Sequence, residues 1–99
     1  MKEELYHEVR TVESFRKDWV VYIYNDDTTP IDVVIDMLVD VFDFDHHKAI
    51  RLAHEVNGTE AGIVGKYPEK LARARTERGM KFIHDLGYTD FKLEAKEDV

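Results

Sequence analysis

The residues best suited to chemistry fall in one turn, Asn25-Asp26-Asp27-Thr28-Thr29-Pro30. Carboxamide and carboxylate oxygens accept hydrogen bonds, so a turn that holds them rigid is an acceptor nest for a cation such as an ammonium group. The same residue types also build ordinary tight turns and helix caps, and composition alone leaves both accounts standing. Other chemistries lack their spacing. Asp43, Asp45, His46, His47, His54 and His84 invite a metal ion. Neighbours such as His46 and His47, however, diverge by about 100° on a helix and do not share an ion. No EF-hand loop occurs, no G-x-S-x-G occurs, and the chain has no cysteine. Gly62-x-x-Gly65 lacks the Lys-Ser/Thr pair of a phosphate loop. The expectation is a binding protein, not an enzyme, with no metal and no cofactor.

The turn needs elements on both sides to hold it. Trp19-Val20-Val21-Tyr22-Ile23-Tyr24 is β-branched and aromatic throughout, which predicts a strand buried on both faces or nearly so. After the turn, Thr29 as N-cap, Pro30 at N1 and Asp32 at N3 predict a helix start. That helix carries Ile31, Val34, Ile35, Leu38 and Phe42 on one face and Val33, Met37 and Val41 on a second. Only Asp32, Asp36, Asp40 and Asp43 are left for water, so it must be wedged between other elements. Asp45 caps a second helix with Ala49, Leu52, Ala53 and Val56 inward, ended by Gly58 at C′. Ala61-Gly62-Ile63-Val64-Gly65 reads as an edge or kinked strand. Pro68 starts a basic helix whose inner face is expected to be Leu71, Ala74, the stems of Arg75 and Arg78, Phe82 and Leu86, with Gly87 as cap. Tyr88 to Ala95 alternates as a last strand. The order β-α-α-β-α-β predicts an α+β sandwich, its helices packed on a three-stranded antiparallel sheet. Residues 1–17 are expected to form a flexible arm, 18–95 the core domain and 96–99 a tail.

Composition narrows the partners. The 99 residues suffice for one modest core. There are 14 Lys plus Arg against 21 Asp plus Glu, a net charge of −7. Between Asn25 and Phe44 six aspartates stand without a base, whereas Lys66 to Lys81 holds six bases against two acids. Such a dipole repels phosphate on its acidic side, so no nucleic-acid partner is expected. No apolar run is long enough to span a bilayer and no apolar segment opens the chain as a signal would, so the expected address is the cytoplasm, with no membrane partner.

The string N-D-D-x-T-P-x-x-x-V-I-x-x-L, here Asn25 to Leu38, resembles the start of the ClpS adaptors. The likeness continues in register through Phe42, Ala49, Val56, Gly65-x-Tyr67 and Ala72, and spans about Asp18 to Glu94. It implies the same β-α-α-β-α-β fold. It also implies delivery of substrates with a bulky apolar N-terminal residue to the N-domain of a AAA+ Clp unfoldase. By resemblance, Asn25 and Asp26 accept from the substrate's α-amino group, with Asp27 and Thr29 supporting the turn. The family's third amine ligand is a histidine, and Asn57 occupies its place. Ala53 stands where a gating methionine is common, leaving the side-chain pocket either enlarged or refilled by Ile31 or His54. The resemblance further implies an unfoldase contact on the basic helix at Glu69, Lys70 and Arg75. An alternative is a ClpS-like modulator of the unfoldase that ignores N-terminal residues.

Overall fold

The computed structural model describes residues 18–98. The expected N-terminal arm, residues 1–17, lies outside the described residues. Six elements follow in the expected order: β1 (Trp19–Tyr24), α1 (Ile31–Phe42), α2 (His46–Asn57), β2 (Ala61–Tyr67), α3 (Glu69–His84) and β3 (Leu93–Glu97). The sheet order is β2-β1-β3, both pairings antiparallel. The fold is therefore the expected α+β sandwich of three helices on a three-stranded sheet.

β1 is the central strand because its aliphatic residues fill both faces. Val20, Val21 and Ile23 are buried, while Trp19, Tyr22 and Tyr24 are half-buried. β2 is an edge strand, as expected, and its register with β1 slips between Val21 and Tyr22, as a bulge does. It runs two residues further than anticipated, to Tyr67.

The wedged position of α1 follows from its two apolar faces: it packs on both α2 and α3 and buries Met37, Leu38, Val41 and Phe42. Asp32, Asp36 and Asp40 face water. The helix start differs from expectation. Pro30 is the N-cap residue, with no side-chain cap bond, because the Thr29 hydroxyl is used elsewhere. Asp43 ends α1 in the left-handed region at φ 59°, its N–H donating to the Leu38 carbonyl; a short polar side chain tolerates that conformation. Asp45 then caps α2 as expected, accepting from the Lys48 amide at 2.8 Å. Gly58 closes α2, but at φ −101°, which is not the left-handed geometry expected of a C′ glycine.

α3 required the largest correction. Its buried stripe is Ala72, Thr76, Gly79 and Ile83, whereas Leu71 and Leu86 are exposed. The expected stripe followed the large apolar residues, but the helix approaches α1 and β3 too closely for them. A Cβ at Gly79 would stand 2.6 Å from Leu93 Cδ1 and 3.1 Å from Met37 Sδ. Gly87 does take a positive φ of 103°, but three residues past the helix end. The chain from Asp85 to Lys92 is a connecting turn, so β3 begins at Leu93 rather than Tyr88. Lys96 and Glu97, expected in a tail, pair with Val20 and Trp19. The alternation itself was correct in phase: Phe91 and Leu93 are buried and Ala95 packs against the core.

Candidate functional site

The turn between β1 and α1 is built by its own side chains. Asn25 Oδ1 accepts from the Asp26 amide at 2.9 Å. Asp26 Oδ1 accepts from the Thr28 amide and hydroxyl, each at 2.9 Å, and Asp26 Oδ2 accepts from the Thr29 hydroxyl. The Asn25 amide donates to the Glu60 carbonyl at 2.9 Å, and the Tyr24 amide to the Lys92 carbonyl at 3.1 Å. The turn is thus pinned to the chain on both sides of β1. Burial by itself raises the Asp26 carboxyl pKa, but the bonds from Thr29 and Thr28 outweigh it and hold the group below its ordinary value. The residue therefore stands as a carboxylate. A carboxylate has about four lone-pair sites and a carboxamide oxygen two, so each of Asn25 and Asp26 keeps about one free acceptor position.

These residues open onto a cavity of about 30 Å³ lined by Ile23, Tyr24, Asn25, Asp26, Thr29, Ile31, Val34, Ala53, Val56, Asn57 and Phe91. Two helix ends meet there. Asn57 is the last residue of α2, whose C-terminal end carries a partial negative charge favourable to a cation. Ile31 is the first of α1, whose positive end favours the Asp26 anion instead.

Of the residues singled out in the sequence, Asn25, Asp26, Thr29, Ile31, Ala53 and Asn57 come together at this cavity. Asp27 and His54 are exposed and line no part of it. Ile23, Tyr24, Val34, Val56 and Phe91 were not singled out. Four of them adjoin the turn or Asn57 or share a face of α1, so helical and strand spacing points to them. Phe91 is far away in sequence and only the folded chain brings it in. Ala53 and Ile31 both line the cavity, and His54 does not. At about 30 Å³ the cavity has room for about two waters. Among the described residues no group of three His, Asp or Glu side chains lies close enough to hold a metal ion.

The residues assigned to an unfoldase contact do not form one patch. With about 100° per residue, Glu69 and Arg75 flank the buried Ala72 stripe on opposite sides and Lys70 points away from it. Glu69 pairs with Arg73 at 2.9 Å. Arg75 is held between Asp43, at 3.1 Å, and the Tyr67 ring, 5.3 Å from its centroid, and is only 19% exposed. Lys70 is exposed.

Comparison with known proteins gives consistent findings. The profile of the family described as "ATP-dependent Clp protease adaptor protein ClpS" matches residues 14–93. The "ATP-dependent Clp protease adapter protein ClpS" of Clostridium acetobutylicum is 31% identical over 72 residues, 73% of this chain and 71% of that protein. The protein of the same name from Campylobacter jejuni is 31% identical over 80 residues, 81% of this chain and 80% of that one. Among solved structures, Agrobacterium tumefaciens ClpS2 bound to L-phenylalaninamide superposes with a TM-score of 0.79 over 83% of this chain and 98% of that one. Its sequence identity is 18%, so this match speaks to the fold alone.

Proposed function

The chain belongs to the ClpS family of Clp protease adaptors, and we propose that it binds substrate polypeptides by a free N-terminal residue and delivers them to a Clp AAA+ unfoldase in the cytoplasm. The observation that carries this reading is the convergence of Asn25, Asp26 and Asn57 on one cavity with an apolar floor. A carboxylate and two carboxamides around a helix C-terminal end suit an α-ammonium group, and Ile23, Val34 and Val56 suit an apolar first side chain. In this reading Asp27 and Thr29 support the turn: Thr29 does so through its bond to Asp26, and Asp27 by occupying an exposed turn position. The unfoldase N-domain docks on α3, with Lys70 as the cation available to it. The adaptor carries out no chemistry itself.

The small cavity favours a second reading, a modulator that binds the unfoldase and ignores N-termini. A reconstituted degradation assay separates the two. A reporter displaying Ala, Val, Leu or Phe at a free N-terminus is supplied to a Clp unfoldase and peptidase with and without this protein. Faster turnover of at least one free-amine reporter, abolished by N-acetylation, supports the adaptor. Unfoldase binding with no effect of acetylation on any reporter supports the modulator.

A further inference from the structure

The sheet has two outer strands, and they are built differently. β3 carries Glu94, Lys96 and Glu97 within its five residues, the kind of charges that keep an outer strand from pairing with another chain. β2 carries only Lys66, and Ile63 near its middle is 54% exposed. Bonded and unbonded pairs alternate along an antiparallel ladder. The Asn25 amide donates to the Glu60 carbonyl at 2.9 Å, and two residues along Ile23 stands opposite Gly62. Ala61 and Ile63 therefore turn their N–H and C=O groups away from β1. One of these groups, the Ala61 carbonyl, accepts from the Thr59 hydroxyl at 3.1 Å and keeps its second lone pair. Among the described residues no strand pairs with this edge. An open groove follows it between β2 and α2. On α2 the stripe Lys48, Arg51, Leu52 and Glu55 forms the wall, at helical spacing. Lys48 and Arg51 stand toward the Val64 end of the groove, and Glu55, with the exposed Glu60, toward the Ala61 end.

We propose that this edge is a self-association surface. A second copy of the chain adds across a two-fold axis, β2 antiparallel to β2, with Ala61 of each copy opposite Ile63 of the other. That register joins the outward N–H and C=O groups of both strands and lays each Ile63 side chain beside the other copy's Ala61. The slip in register that follows, between Ile63 and Gly65, confines the pairing to this short stretch, so the dimer is weak and forms at high micromolar concentration. The order of charge selects a second copy as the occupant. An antiparallel copy brings its Val64 end to the Ala61 end of the first, so Arg51 of each meets Glu55 of the other, the self-complementarity that a two-fold contact needs. Asn25, Asp26 and Lys70 line no part of the groove, so the pairing leaves both proposed binding surfaces open.

The test is sedimentation velocity on the full chain, without tags, over a concentration series that reaches the high micromolar range. Wild-type protein should pass from monomer to dimer as concentration rises. Ile63→Lys puts a charge on the pairing edge at an exposed position and should weaken dimerisation about tenfold or more. Arg51→Glu and Glu55→Arg should each weaken it about tenfold by setting like charges together, while a mixture of the two variants should form the mixed dimer at least as readily as wild type. Recovery in the mixture is a result that a general loss of folding does not give. A wild-type monomer at every concentration overturns the proposal. So does dimerisation that Ile63→Lys leaves unchanged, or a mixture that fails to recover. Peptide or unfoldase binding lost in Ile63→Lys, with wild type monomeric throughout, assigns the edge to another chain and overturns it as well.

Discussion

Asp26 has two duties that pull on one carboxylate. It accepts three hydrogen bonds that shape the turn and, in the proposed function, one from the substrate's ammonium. Alanine would remove both, so Asp26→Asn is the better probe: it keeps an acceptor for Thr28 and removes the charge. Losing a charge-assisted partner costs about 1.5–3 kcal/mol, so free-amine peptide affinity should fall ten- to hundredfold by calorimetry. Unchanged affinity removes Asp26 from the amine site. The pH dependence follows from the same groups. The Asp26 pKa lies below its ordinary value, so the carboxylate persists down to that depressed pKa, and its contribution to the folded state is present above the unfolded value of about 3.9 and lost below it. Asn57 does not titrate, and His54 lines no part of the cavity. Peptide affinity should therefore stay within about twofold from pH 5.5 to 7.5, and a decline toward pH 5.5 would mean that a histidine has joined the site. The residues proposed to bind the amine were legible in the sequence because one short string and one helix end hold them. Phe91 was not, since its place depends on how the α3–β3 connection folds back.

Among the elements, α3 was the least legible and the reason is physical. Periodicity finds large apolar side chains, whereas α3 packs through Ala72, Thr76 and Gly79, where smallness sets how closely it approaches α1 and β3. Gly79→Ala should gain about 1 kcal/mol of helix propensity. It also forces a methyl against fully buried Leu93 and Met37, for which overpacking costs about 1–3 kcal/mol. Denaturant unfolding should show net destabilisation; a more stable variant would mean the α3–β3 contact is loose. The outer face of the same helix carries the proposed unfoldase contact. Arg75 is committed to Asp43 and Tyr67, so reversing it disturbs the fold as well as any interface. Lys70→Glu is the cleaner change. It should slow association with the unfoldase N-domain and reduce its salt dependence while peptide affinity stays the same, since rim charges act mainly on encounter. Surface-resonance kinetics that match wild type would move the interface off this face of α3. The burial of β1 and the wedging of α1 were readable, because an all-apolar strand must be covered on both faces and a helix with two apolar faces must be covered twice.

At the scale of the whole molecule, the cavity proposed to receive the peptide lies where β1, α1, α2 and the α3–β3 connection meet, and none of its lining residues is on α3. An adaptor has to bind substrate and unfoldase at once, and this separation leaves room for both. The charge distribution suits the proposed division: the acidic stretch from Asn25 to Phe44 includes the turn proposed to bind the ammonium group, and the bases gather between Lys66 and Lys81. Among the described residues no helix is long and apolar enough to cross a membrane. The central claim is that Asn25, Asp26 and Asn57 grip a free α-amino group. Its most direct test is a chemical-shift titration of isotope-labelled protein with one Val-initiated peptide, offered with a free and with an acetylated amine. The account predicts saturable shifts at Asn25, Asp26, Asn57 and Phe91 with the free peptide, and at least a tenfold loss of affinity on acetylation. Equal affinity for the two peptides, or shifts confined to residues away from the turn, would contradict it.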